Sequence, residues 1–124
     1  MSVITAFDPR GYTASLTTNS TASTANSTQI SATALGFKDN QYPGQVRVIN
    51  HGTDIVWLSF TSATAVIAVP TAYTNGSGGT PTQAIPVAPG IIEVFTLTGG
   101  PIIWVNDISA TVSQTYFLTF GEGV

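Results

Sequence analysis

The feature that most constrains this chain is a succession of short apolar segments separated by turn-forming residues. From residue 45 onward these segments end at Gly, Pro, Asn or Asp, and none shows helical periodicity beyond one turn. Strands spaced about 8 to 12 residues apart, with turn signals between them, are typical of β-sandwiches and barrels. The sequence therefore predicts an all-β chain, a single-domain β-sandwich or jelly roll of about eight strands. The strands in this part are predicted at residues 45–49, 55–60, 65–69, 84–87, 91–98, 102–105, 108–112 and 114–120, with turns at 50–53 and 106–107 among others.

Residues 1–44 differ in composition from the rest of the chain. No charged residue lies between Gly11 and Phe37, where Ser, Thr, Ala and Asn predominate. Thr-rich segments favour extended backbone, and residues 29–33 alternate weakly between apolar and polar. We predict a Ser/Thr-rich extended N-terminal arm with one or two strands, ordered by what it lies against, and a β-sandwich body at 45–124, the two forming one folded domain. A flexible linker is the alternative, because so few large apolar residues cannot form a core alone.

Charged side chains are scarce. Asp, Glu, Lys and Arg make up 7% of the chain, against roughly 25% in an ordinary soluble domain. Charge keeps a free surface hydrated and prevents association, so this composition predicts a building block of an assembly. The three basic side chains cannot neutralise a phosphate backbone, and no nucleic-acid partner is expected.

The sequence gives no sign of a membrane or secretory route. No apolar run approaches the ~20 residues of a membrane helix, so no membrane partner is expected. Residues 1–5 lack a basic start followed by an apolar stretch, which favours a protein made inside the cell without a secretory signal. The chain has no cysteine and therefore no disulfide framework.

Three of the predicted strands, at 55–60, 102–105 and 114–120, are apolar on both faces. A free antiparallel sheet normally alternates, with one apolar and one polar face. The second face therefore carries side chains that water covers poorly, and such aromatic residues are typical of protein–protein contacts. Loops or the N-terminal arm covering these faces within the chain are the alternative. The residues predicted at a protein–protein interface are Trp57, Trp104, Phe117, Ile55 and Ile102.

The sequence offers no pattern typical of catalysis. His51 is the one histidine and lies in a turn near Asp54, but a Ser–His–Asp site needs all three groups within hydrogen-bond reach, and no Gly-x-Ser-x-Gly motif is present. Most of the six carboxylates, Asp107 among them, lie beside turn residues, where Asp bonds local backbone. Glu93 lies in mid-strand, either solvated on the outside or paired with Arg47 at an interface. We predict a non-enzymatic protein with no catalytic residue, no cofactor and no metal site.

Several segments resemble one family of proteins. These are the strand and turn at 46–53, the run Ile85-Pro86-Val87-Ala88-Pro89-Gly90 that leads into 93–95, and the closing segment at 120–123. Over residues 45–123 the chain resembles the capsid decoration, or cement, proteins of tailed bacteriophages, which have a jelly-roll-like β-sandwich. The resemblance implies a homo-oligomer, a dimer or trimer, that is made in the bacterial cytoplasm, binds the outside of a phage capsid and clamps neighbouring major capsid subunits. It implies no catalytic residues.

Two other functions remain open at this point. A phage tail, fibre or baseplate component has the same low charge and β pattern but is expected to contain repeats, which this chain lacks. A carbohydrate-binding sandwich is the second, with aromatic side chains that stack on sugar rings. The candidates for that stacking are Trp57, Trp104, Tyr12, Tyr42 and Tyr73.

Overall fold

Eight β-strands make up the regular structure of the described residues. The computed structural model describes residues 7–31, 33–34, 36–37, 42–76, 78–97 and 102–123. None of them belongs to a helix of the length and apolar character that crossing a lipid bilayer requires. The strands are β1 (Phe7–Thr17), β2 (Asn26–Ser31), β3 (Gln45–Asn50), β4 (Val56–Thr61), β5 (Ile85–Val87), β6 (Ile92–Thr96), β7 (Ile102–Ile108) and β8 (Thr115–Gly123).

The strands form two four-stranded antiparallel sheets. Sheet A has the order β1-β8-β3-β6 and sheet B the order β2-β7-β4-β5. The first strand thus pairs with the eighth, the second with the seventh, the third with the sixth and the fourth with the fifth. A long hairpin rolled up in this nested way gives the double-sheet arrangement of a jelly roll. The prediction of an all-β sandwich is confirmed.

The core lies between the two sheets and comes from alternate residues of the central strands. In β8, Tyr116, Leu118 and Phe120 are fully buried, whereas the residues between them are half-buried. In β4, Val56 and Leu58 are fully buried in the same cluster. Burying one such side chain stabilises the folded state by about 1.5 to 3 kcal/mol. The face on which apolar residues recur at every second position therefore packs inward.

The Ser/Thr-rich N-terminal segment supplies one strand to each sheet. Across the pair β1–β8, the Thr13 and Thr119 hydroxyls are 2.9 Å apart and those of Thr17 and Thr115 are 3.3 Å apart. Cross-strand threonine pairs of this kind stabilise a sheet without large apolar side chains. Phe37, which follows β2, is buried in the main core.

Three local predictions were wrong. Residues 65–69 form no strand, because Ile67 packs on the outside of sheet B instead of joining a ladder. Asn106 and Asp107 belong to β7 rather than to a turn, because both side chains find buried hydrogen-bond partners. Of the strand predicted at 108–112, only Ile108 lies in a strand, as the last residue of β7, and the chain then turns towards β8.

Candidate interaction surface

The outer face of sheet B is covered in part by the loop between β4 and β5. The buried Asn106 carboxamide fixes the beginning of this loop. Its Oδ1 accepts hydrogen bonds from the Ser27 hydroxyl at 2.8 Å and from the Ala65 backbone N–H at 3.1 Å. Its Nδ2 donates to the hydroxyl oxygens of Thr61 at 2.8 Å and Ser59 at 3.1 Å. Because the amide is satisfied on both sides, it holds the loop to the sheet at little desolvation cost.

Trp57 lies beneath this loop. It is half-buried and packs against a small apolar cluster made of Ile67, Ala84 and Ile108. Ile108 is its cross-strand neighbour on β7, and Ile67 comes from the covering loop. The chain's own loop therefore covers much of this indole ring.

The other residues predicted at an interface on this side occupy different positions. Trp104 is half-buried on β7, directly across from Gln29 on one neighbouring strand and Thr61 on the other. Ile55 is half-buried just before β4, and its backbone N–H donates to Asp54 Oδ1 at 2.7 Å. Ile102 is the first residue of β7, and its side chain lies outside the described part of the structure.

The outer face of sheet A carries an apolar patch. In one row across the sheet, Phe117 on β8 is paired with Ile49 on β3, which is paired in turn with Ile92 on β6. In the next row, Val94 on β6 stands opposite Arg47 on β3. Residues directly opposite in a ladder share a face, so the four apolar residues form one surface, which we call the sheet A patch: Ile49, Phe117, Ile92 and Val94.

The sheet A patch is open to solvent towards β6. Ile92 is 57% exposed and Val94 is 46% exposed, while Phe117 and Ile49 are half-buried. The His51 ring lies against Phe117, with ring centroids 5.7 Å apart. Contiguous exposed apolar side chains with polar neighbours are typical of surfaces that bind another protein. Glu93 is exposed to solvent, but it lies opposite the core residue Val48 and therefore on the inner side of β6, whereas Arg47 lies on the outer face. The predicted outer position of Glu93 was wrong.

The predicted interface residues do not form one surface. Phe117 belongs to the outer face of sheet A, whereas Trp57 and Trp104 belong to sheet B on the other side of the sandwich. Sequence reasoning missed the β6 contribution to the patch. The alternation of Ile92, Glu93 and Val94 indicates that the two apolar residues share a face, but the same pattern is typical of an ordinary half-buried strand. The pairing of β6 with β3, which shows that this face points outward, is not visible in the sequence.

Two carboxylates of the described residues, those of Asp54 and Asp107, are engaged in structural hydrogen bonds. No group of three or more His, Cys, Asp or Glu side chains there is arranged to hold a metal ion. The Asp54 carboxylate accepts hydrogen bonds from the Thr111 hydroxyl and the Ile55 N–H, and these bonds hold its pKa below the usual value. Burial raises the pKa of Asp107 to about 6, although a hydrogen bond from the Tyr116 hydroxyl opposes this shift.

Comparison with protein-family models, with curated proteins and with solved structures gave no significant match. The fold and the two outer faces of its sheets are therefore the basis for assigning a function. Of these faces, that of sheet B is partly covered by the chain's own loop, and that of sheet A presents the exposed apolar patch.

A double substitution on β6 tests this placement. Replacing Ile92 by Lys and Val94 by Glu keeps the net charge and is expected to change the free energy of unfolding by less than about 1 kcal/mol, because exposed positions away from special features tolerate change. The new Glu also faces Arg47 across the strand pair. Urea denaturation measures the change, with the buried Leu58→Ala as a reference expected to lose about 2 to 5 kcal/mol. A loss near that of the reference would contradict an outward-facing patch.

Proposed function

We propose that the chain is a non-enzymatic structural protein of a tailed bacteriophage, a decoration protein that binds the outside of the capsid. The observation that carries this proposal is the exposed sheet A patch on a chain in which only 7% of residues are charged. A surface with so little charge and a contiguous apolar area is expected to be covered by another protein. The fold is compatible with the role, since jelly rolls recur in viral coat proteins.

The proposed mechanism is attachment without chemistry. The sheet A patch lies against neighbouring major capsid subunits, and a homo-oligomer that touches several subunits at once gains avidity of about 10² to 10⁴ from linked contacts. Weak individual contacts are then enough to keep the shell from separating under internal pressure. The Asp54 carboxylate, which a His51-centred hydrolase would need, is already bonded to Thr111 and Ile55.

The two alternatives make different demands on the structure. A tail or baseplate component would use the same apolar patch, so only its place in the virion separates it from a decoration protein. A carbohydrate-binding protein needs aromatic side chains in a groove. A groove of about 540 Å³ lies between residues 23–25 and 66–71, and its described lining contains no aromatic side chain. This groove gives the sugar-binding alternative no support, and a smaller groove of about 280 Å³ is lined by Phe60 and Phe95 but by none of the five predicted stacking residues.

The composition of virions tests the proposed function. Purified virions of the phage whose genome carries the coding sequence are separated into heads and tails, and peptides of the chain are quantified against the major capsid protein by mass spectrometry. We expect the chain in the head fraction, in a fixed ratio to the major capsid protein. Recovery in the tail fraction alone would favour the tail alternative, and absence from both fractions would overturn the proposal.

A further inference from the structure

The sandwich has four edge strands, β1 and β6 in sheet A and β2 and β5 in sheet B. An edge strand presents unpaired backbone N–H and C=O groups that can pair with another chain. Proteins protect such edges with proline, with charged side chains, with irregular pairing or with very short strands.

Three of the four edges carry such protection. The pairing of β1 with β8 shifts register between Pro9 and Thr13, and Pro9 itself removes a backbone donor. Strand β5 has three residues, of which the middle one is Pro86. Strand β6 carries the exposed, charged Glu93 at the second of its five positions.

Strand β2 lacks each of these protections. Its six residues, Asn26–Ser31, contain no proline and no charge, and they pair with β7 in one unbroken register. The central residues Ser27, Thr28 and Gln29 are exposed. Outside its ladder with β7, the backbone of β2 makes no hydrogen bond with other described residues.

We propose that the free edge of β2 pairs antiparallel with β2 of a second copy of this chain, which joins the two B sheets into one continuous sheet. Antiparallel pairing about a twofold axis is self-complementary, because each residue meets the same set of partners in both copies. Since β2 is uncharged, two copies meet without repulsion, whereas two β6 edges would bring the Glu93 side chains together. The charge pattern therefore favours β2 as the dimer edge. This pairing specifies the contact within the homo-oligomer of the proposed function, but it requires no capsid and is tested without one.

The twofold axis restricts the register. Residues directly opposite each other in a sheet point to the same face, so in a symmetric pair one residue of β2 must lie opposite its own copy at the axis. The central residues of β2, and therefore the candidates for this position, are Thr28 and Gln29. Opposite residues in an antiparallel pair have Cα atoms about 4.5 to 5.5 Å apart, which is within the reach of a disulfide. The chain has no cysteine of its own, so a disulfide in a single-cysteine variant joins the introduced positions of two copies.

Single-cysteine variants test the pairing directly. Purified Thr28→Cys and Gln29→Cys are oxidised and separated without reductant, and we expect at least one to form a covalent dimer with most of its chains. Val94→Cys, whose parent side chain is 46% exposed on the β6 edge, is the matched control and is expected to stay largely uncrosslinked. Crosslinking of both β2 variants at or below the level of the control would overturn the proposal.

The mass of the assembly gives a second readout. By sedimentation equilibrium, the wild-type chain is expected at twice the monomer mass. Gln29→Lys is expected at the monomer mass, because the two new charges lie directly opposite each other if the axis passes at residue 29 and are diagonal neighbours on the same face if it passes at residue 28. Val66→Lys, at a 94% exposed loop position, adds the same charge elsewhere and is expected to remain dimeric. A monomeric wild type, a trimer, or a Gln29→Lys variant that dimerises like the wild type would contradict β2 pairing.

Discussion

Replacing Asn50 by Asp is expected to lower the free energy of unfolding by about 3 to 5 kcal/mol at pH 7. Asn50 is the last residue of β3 and is fully buried. Its Nδ2 donates to the Asp54 carbonyl oxygen at 2.9 Å and to the Val87 carbonyl oxygen at 2.8 Å, and its Oδ1 accepts from the Gly52 N–H at 2.8 Å. One amide thus connects the turn after β3 to β5 in the opposite sheet.

An aspartate of the same shape cannot replace this amide. An ionised carboxylate has no donor, so two carbonyl oxygens lose their partner and a buried negative charge faces both of them. The loss relative to wild type is expected to shrink at pH 4, because a protonated carboxyl donates one hydrogen bond. Urea denaturation of wild type and variant at both pH values measures this. Asn75→Asp, at an exposed loop position, is the matched control and is expected to change little. A loss below about 1 kcal/mol for Asn50→Asp would contradict the assigned role.

Stability is expected to rise by about 2 kcal/mol as the pH falls from 7 to 4.5. Asp107 is 1% exposed between the sheets. Its Oδ2 accepts from the Tyr116 hydroxyl, and its Oδ1 has no hydrogen-bond partner among the described residues. Burial raises its pKa to about 6, above the value of about 3.9 in an unfolded chain. The folded chain therefore binds this proton more tightly, and the resulting stability is complete below about pH 4 and is lost as the pH rises through 6.

Two variants separate this effect from that of other carboxylates. Asp107→Asn is expected to remove the rise between pH 7 and 4.5. Its stability at pH 7 is expected to stay near that of the wild type. Removal of the buried charge stabilises the fold, and a buried amide donor without a hydrogen-bond partner destabilises it by a similar amount. Asp54→Asn is expected to keep the rise. The pKa of Asp54 is lowered in the folded chain, so this carboxylate stabilises the fold at higher pH, and that stability is lost only as the pH falls below the usual pKa of an aspartate. Thermal or urea denaturation between pH 4.5 and 7 measures both slopes. A wild-type slope in Asp107→Asn would show that another group is responsible.

The core was predictable because its signal is local. In β3 apolar and polar residues alternate, and in β4 and β8, which are apolar on both faces, the more apolar face is the buried one. These buried faces contain Val48, Leu58 and Leu118. The N-terminal strands were harder to predict, because their stability comes from pairing with β7 and β8, whose residues are more than seventy positions away in sequence at every pair. An eleven-residue strand that contains a proline and a glycine, and in which only Phe7, Tyr12 and Leu16 are large and apolar, looks like a linker until its partner is known.

The wrong predictions concern segments whose burial depends on contacts with residues that are distant in sequence. Asn106 and Asp107 are typical turn residues, and their burial depends on contacts with Ser27, Ala65 and Tyr116 that sequence spacing does not reveal. The segment at 65–69 alternates like a strand, but it lies across the outer face of sheet B rather than along an edge. The same limit applies to the sheet A patch, which combines residues of three strands that are far apart in sequence.

Binding of three proteins to capsid shells gives the most direct test of the sheet A patch as the surface that binds the capsid. The proteins are the wild type, Ile92→Lys/Val94→Glu, and a control, Val66→Lys/Val112→Glu, that makes the same changes at exposed positions off the patch. Each is mixed with undecorated shells of the encoding phage and pelleted, and the bound fraction is measured against concentration. We expect the wild type and the control to saturate the shells alike and the β6 variant to bind at least tenfold more weakly, a loss of about 1.4 kcal/mol in the measured binding free energy. Equal binding by the β6 variant, or no binding by the wild type, would contradict the proposed role of the sheet A patch.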